Sequence, residues 1–199
     1  MANRTPYDPA FARTLSAGSC HLYVLPCVYE DILKLGHSRE PLVRMQTLHP
    51  RYFDFFDLDR AVLVRTDSVR EARALELQLG RAMKLHNAPS PLVVRRAAAG
   101  HTEWYRGALE PLSEQADALE RAGYTVHRGL RPWLRGQLLA RSDRLYEWAT
   151  QLLDQAEPGD GAILPAPARD AIDAYAALGI EVEALLPEAF WYWYQSGAR

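Results

Sequence analysis

Glu76 is a carboxylate set where a helix carries its apolar residues, and that placement invites chemistry. In "SVREARALELQLGRAMKLH" the apolar positions 72, 75, 79, 82 and 83 form one helical stripe, and Glu76 lies three residues before Leu79 and seven before Met83, on the stripe's edge. Burying an unpaired carboxylate is costly, so one on a core-facing edge suits a metal ligand, a general base or the partner of a buried arginine. The same spacing also allows it to reach solvent. Arg44, in the short amphipathic run "PLVRMQTL", reads as leaving the side formed by Leu42, Met45 and Leu48, the habit of a surface arginine. Tyr23 stands between Leu22 and Val24 in a strand-like run, so it points to the opposite face from both, as core tyrosines with bonded hydroxyls do.

The elements that would position these residues are legible in outline. "HLYVLP" and "ILKLG" read as two strands of a hairpin with a longer loop, the first ending near Pro26 and the second in Gly36. Leu42, Met45 and Leu48 predict a brief helix that stops before Pro50. "RAVLVRT" predicts a third strand. Ser68 followed by Glu71 is a capping-box pattern that starts the long helix, which runs to about residue 86. A short helix is predicted over "DPAFARTL". The fold class expected is α+β: a small three-stranded antiparallel sheet flanked by helices, over residues 20–107. A mainly helical region, 108–199, follows, with helices at "EPLSEQADALERAG", "RPWLRGQLLARSDRLYEWATQLLDQAEPG" and "RDAIDAYAALG" and a linker at "EPGDGAILPAPA".

In order along the chain stand "HLYVL", then "KLG", then an arginine eight residues after that glycine, then the glutamate of "EARALELQLG", and finally "TEWY". This order and spacing resembles the GIY-YIG endonuclease superfamily, in particular its phage-type branch with a KIG-like second motif and a closing Glu-Trp-aromatic motif. The resemblance implies an endonuclease that hydrolyses DNA phosphodiester bonds with one divalent cation, Mg²⁺ or Mn²⁺. Tyr23 takes the place of the GIY tyrosine, Gly36 that of the YIG glycine, Arg44 that of the catalytic arginine and Glu76 that of the metal-binding glutamate. Arg44 would neutralise charge developing on the phosphate, Tyr23 would orient or deprotonate the attacking water, and Gly36 would let a phosphate approach where no Cβ stands. Lys34 stands where many relatives keep a second tyrosine; its charge would hold a phosphate or depress a neighbouring phenol. His37 offers an imidazole that carries protons near neutral pH, and Tyr29 a further phenol. Glu103 and Trp104 match the closing motif, Trp104 as core and Glu103 as a salt-bridge partner of Arg44 or another site residue. Arg39, Arg51, Lys84, Arg95, Arg96 and His101 are candidate phosphate contacts.

The rest of the composition bounds the reading. Net charge is −2, yet residues through Gly107 sum to +4 and those from Ala108 to −6, so the first half is the candidate for a polyanionic partner. Cys20 and Cys27 flank a strand, too far apart for a disulfide, and match no zinc or redox spacing. No apolar run is long enough for a membrane span, and the first residues hold no secretory apolar stretch, so a cytoplasmic location is expected. "FWYWY" near the C-terminus is either the core of a helical unit or a surface for a protein partner or self-association. Two alternatives to a nuclease stand: a nucleic-acid-binding module on the same fold without turnover, and an α+β protein-interaction domain with FWYWY as its contact.

Overall fold

In a computed structural model of the chain, residues 17–94, 98, 101–155 and 166–196 are described. The helix predicted at "DPAFARTL", the linker at "EPGDGAILPAPA" up to residue 165, and Arg95 and Arg96 lie outside them. The architecture is α+β. The chain divides into two compact units, the first holding His49 and the residues before it together with Asp54–Leu130, the second Pro50–Phe53 and Arg131–Arg199.

The first unit is built on β1 (Ala17–Pro26), β2 (Ile32–Ser38), β3 (Val62–Ser68), β4 (Asn87–Ala88), β5 (Trp104–Arg106) and β6 (Val126–Arg128). They form one antiparallel sheet in the order β4-β5-β2-β1-β3-β6. The three expected strands are its centre; the sheet is six-stranded, not three-stranded, because three short strands extend both edges. β6 places the chain beyond residue 107 in the same unit as the sheet. Short helices α1 (Pro41–Leu48) and α2 (Tyr52–Phe55) follow β2, α3 (Val69–Ala82) follows β3 and α4 (Leu109–Arg121) follows β5.

Side-chain alternation in the central strands decides what each face holds. Leu22 and Val24 of β1, Leu33 and Leu35 of β2, and Val62 and Val64 of β3 turn to one face, where Leu79 and Met83 of the α3 segment and Leu112 and Ala116 of α4 close the core. The opposite face carries Tyr23, which pairs with Gly36 across β1–β2 and with Leu63 across β1–β3, and Lys34, which pairs with Leu25 and Trp104. α3 begins as its sequence predicts: Ser68 Oγ accepts the Glu71 backbone N–H at 3.2 Å. The Glu71 carboxylate reaches back to the Asp67 N–H at 3.0 Å. Cys20 and Cys27 are free and buried.

In the second unit the long run predicted after residue 131 forms two helices, α5 (Arg131–Leu139) and α6 (Ser142–Gln155), followed by α7 (Ala166–Ala177) and α8 (Glu188–Gln195). FWYWY lies on α8. Phe190 is buried, with its ring centroid 6.1 Å from Trp148 and 5.2 Å from Trp193. Arg169 lies 5.0 Å from both the Trp193 and Tyr194 rings, and Tyr194 donates its hydroxyl to Asp173 at 2.7 Å. The helix therefore spends most of the motif inside its own unit and turns Tyr192 outward. No helix among the described residues is long and apolar enough to cross a membrane.

Candidate functional site

The ladder between β2 and β5 covers Ile32, Leu33 and Lys34, and one further bond, Leu35 N–H to Glu103 O at 3.1 Å, ends it. Past that point no strand among the described residues pairs with Gly36–Ser38 on that side, although β2 itself continues to Ser38. Gly36 thus lies inside a strand instead of ending one. Its lack of a side chain serves Tyr23: a Cβ there would meet the Tyr23 hydroxyl at 2.4 Å and its Cζ at 2.5 Å. The buried ring crosses over Gly36 and brings the hydroxyl towards the open edge.

Arg44 meets that hydroxyl. Its Nε donates to Tyr23 Oη at 3.4 Å and its Nη1 to the Ala98 carbonyl at 2.6 Å. The reading of Arg44 as leaving the apolar side of α1 is corrected here, since Arg44 is half-buried and turned to the sheet. One helical turn separates it from buried Leu48, so the two share a side of the helix. From the other face, His37 alternates to the side of α3 and its Nδ1 lies 2.7 Å from Glu76 Oε2. Glu76 is held at the stripe's edge, with 15% of its side chain exposed. A carboxylate only accepts, so Nδ1 carries the proton of this bond and Nε2 is the ring nitrogen left outside it.

Lys34 is placed differently from its expected role. It is 2% exposed, donates to the Thr102 carbonyl at 2.6 Å and to Glu103 Oε2 at 3.0 Å, and lies 5.8 Å from the Trp104 ring centroid. The ammonium thereby commits two of its three protons inside the fold. Burial pushes it below its ordinary range, and the Glu103 bond and charge resist that fall. Glu103 is therefore the salt-bridge partner of Lys34. It is also a non-glycine residue in the left-handed region, at φ 58°. Burial works to raise its carboxyl, but the Thr102 hydroxyl, Lys34 and the charge of Arg44 hold it below the ordinary 4.5.

Tyr23 feels the whole cluster. Burial pushes its phenol above the ordinary value of 10.0, the hydrogen bond and charge of Arg44 pull the other way, and the Glu76 and Glu103 carboxylates add to the rise. The notion that Lys34 would depress this phenol is overturned: burial dominates, and the lysine's charge is spent on Glu103.

Beside Glu76 opens a cleft of about 340 Å³ lined by Glu76, Glu103, Tyr105, Gly80, Arg81 and Lys84 among others. Lys84 is thus brought to the site. Arg39 is exposed just beyond β2, and its charge reaches Cys20. Tyr29 is 78% exposed on the β1–β2 loop. His101 is exposed, with Nδ1 3.3 Å from Ser90 Oγ. Arg51 is not part of the cluster: it belongs to the second unit and pairs with Asp170 at 3.0 Å and Asp173 at 2.7 Å. Trp104 is buried as expected.

Three participants escaped the sequence reading. The carbonyls of Ala98 and Thr102 act through the backbone, which carries no residue-type signal. Tyr105 did leave one. Gly80 sits inside a helix, where glycine is unfavourable, and a Cβ there would stand 2.9 Å from the Tyr105 hydroxyl.

The Lys34–Glu103 pair makes a stability prediction. Glu103→Ala strands a buried ammonium and is expected to lower the unfolding free energy by about 2 kcal/mol in urea melts. Lys34→Met leaves only a carboxylate that water reaches, and is expected to cost less than about 1 kcal/mol. With its folded pKa depressed below 4.5, Glu103 contributes stability that is whole above that pH and fades as pH falls through the folded value. The stability gap between the wild type and Glu103→Gln should therefore shrink as pH falls below about 4.5 and through the lowered folded value. A gap that stays constant over that range contradicts the pairing.

A scan against protein-family models, a search of curated proteins and a search of solved structures each find no match.

Proposed function

We propose that the chain is a metal-dependent endonuclease of GIY-YIG type that hydrolyses DNA phosphodiester bonds. One observation carries the reading: a hydroxyl, a guanidinium and an imidazole–carboxylate pair, from Tyr23, Arg44, and His37 with Glu76, are gathered around Gly36 at one open strand edge. Groups of these kinds can orient water, take its proton and stabilise charge in the in-line hydrolysis of a phosphodiester. They occur in the order along the chain that the resemblance leads one to expect.

A divalent ion of the Mg²⁺ or Mn²⁺ kind fits the donors. Glu76 uses Oε2 towards His37, and Oε1 makes no hydrogen bond among the described residues. A single free carboxylate oxygen suits a hard ion that keeps most of its waters and needs one or two carboxylates. When bound, such an ion polarises a phosphoryl oxygen and acidifies water.

The chain's own groups divide the remaining work. Tyr23, its phenol proton retained because burial raises its pKa, orients the attacking water without deprotonating it. His37 Nε2 takes the water's proton while Nδ1–H stays on Glu76. The water oxygen bonds to phosphorus, the ester P–O bond breaks, and the leaving alkoxide is protonated from solvent. Arg44 exchanges its internal acceptors for phosphate oxygens, and its planar fork stabilises the charge that builds there.

A binding module without turnover is the second reading, and Lys34 favours it: where the resemblance places a proton-carrying tyrosine, the residue is buried and committed to Thr102 and Glu103. Incubating the purified chain with supercoiled plasmid, branched duplexes and single strands, in Mg²⁺ or Mn²⁺ and in EDTA, separates the two. Cutting that needs the ion supports the nuclease. Tight binding without cutting supports the module, and cutting unchanged in EDTA removes the metal from the account.

A further inference from the structure

Arg70, Arg73, Leu77 and Arg81 of α3 fall within about 80° of the helix circumference. Buried Ala72 and Leu79 lie on the other side of the helix, and the acidic residues Glu71 and Glu76 flank the stripe from either side. Lys84 continues the stripe from the 3₁₀ turn Lys84–His86. All four cations are exposed. None has a hydrogen bond or ion pair among the described residues. Three other arginines of the unit are matched with acids: Arg60 with Asp57, Arg106 with Glu30, and Arg128 with Asp117 and Glu120.

We infer that this face of α3 is a track for the phosphate backbone of a DNA strand, leading it to the cleft beside Glu76. The inference rests on the nuclease reading for the identity of the polyanion, and on three observations for the surface. The stripe is cationic along its length, so it attracts and keeps polyanions. From Arg70 to Arg81 it runs about 16 Å, the axial reach of four or five successive phosphates of one strand. Its end is continuous with the site, because Arg81, Lys84 and Leu77 line the same cleft as Glu76. An anionic lipid surface fits less well, since Leu77 is the stripe's one large apolar residue and a helix lying in a bilayer interface needs an apolar face. Arg70, Arg73 and Arg81 carry no site motif and enter only through their shared face.

The test measures binding of the full chain to a fluorescently labelled DNA duplex by anisotropy, from about 50 to about 200 mM NaCl. The variant carries R70Q, R73Q, R81Q and K84Q, changes that keep good helix formers on an exposed face. The control carries R60Q and R106Q, which remove cations already paired with acids. The stripe variant, with wild-type circular dichroism, is expected to lose at least about 30-fold in affinity at the lowest salt. Its slope of log K against log salt should be shallower by about 3.6. The control should move neither. If the wild type nicks plasmid, the stripe variant should raise KM. If the wild type binds with the predicted slope but never nicks, the track stands and the catalytic reading falls. A stripe variant with the wild-type slope, a control that weakens equally, or binding of phosphatidylserine vesicles in place of DNA overturns the inference.

Discussion

Arg44→Ala is expected to slow single-turnover plasmid nicking by about 10²- to 10³-fold, the scale of losing one preorganised donor to a developing oxyanion. The stability cost should stay below about 1.5 kcal/mol, because the bonds lost to Tyr23 and Ala98 are exchanged for water at a half-buried position. Arg44→Lys separates charge from shape. Lysine restores a cation but not the planar fork, so it should recover no more than about tenfold of the loss. Full rate in Arg44→Lys would reduce the role to charge alone, and full rate in Arg44→Ala would remove Arg44 from the reaction.

The second large effect belongs to Gly36. Alanine there drives its methyl against a Tyr23 ring that is 2% exposed and has little room to retreat, with the nearest ring atoms under 3.0 Å from the new Cβ. Overpacking of this kind costs about 1–3 kcal/mol, to be read from urea melts. The displaced hydroxyl should also cost about 10²-fold in nicking, the penalty of moving a catalytic group by about 1 Å. Relief by Gly36→Ala combined with Tyr23→Phe should be partial in stability and absent in rate. A Gly36→Ala protein as stable and as active as the wild type contradicts the packing of Tyr23 over Gly36. The reason for this glycine is thus a neighbouring ring, whereas the motif alone suggested room for an approaching phosphate.

What was legible follows from signal length. β1, β2 and β3 carry runs of five or more β-type residues and α3 a helical period with a cap, and each forms close to where those patterns predict. β4, β5 and β6 are two or three residues long, too short for a period of two to declare itself, so the sheet looked half its width. The break between α5 and α6 has no proline or glycine at Ala140–Arg141 to announce it. Within the site, Tyr23, His37, Arg44 and Glu76 were nameable, but their pairing was not. That Glu103 holds Lys34 and not Arg44 depends on a backbone turn at positive φ, and that His37 meets Glu76 depends on which face each strand residue takes once registered. Arg51 shows the converse: a plausible cation by composition, it is spent on two aspartates more than a hundred positions away.

The central claim is that Glu76 and its neighbours hydrolyse a DNA backbone, and Glu76→Gln tests it most directly. The amide keeps the size of the side chain and an oxygen for His37 while removing the charge. Single-turnover nicking of supercoiled plasmid in Mg²⁺ should proceed for the wild type, stop in EDTA, and fall at least about 10²-fold in Glu76→Gln of matched stability. Nicking at the wild-type rate by Glu76→Gln, or none by a folded wild type in either Mg²⁺ or Mn²⁺, would contradict it.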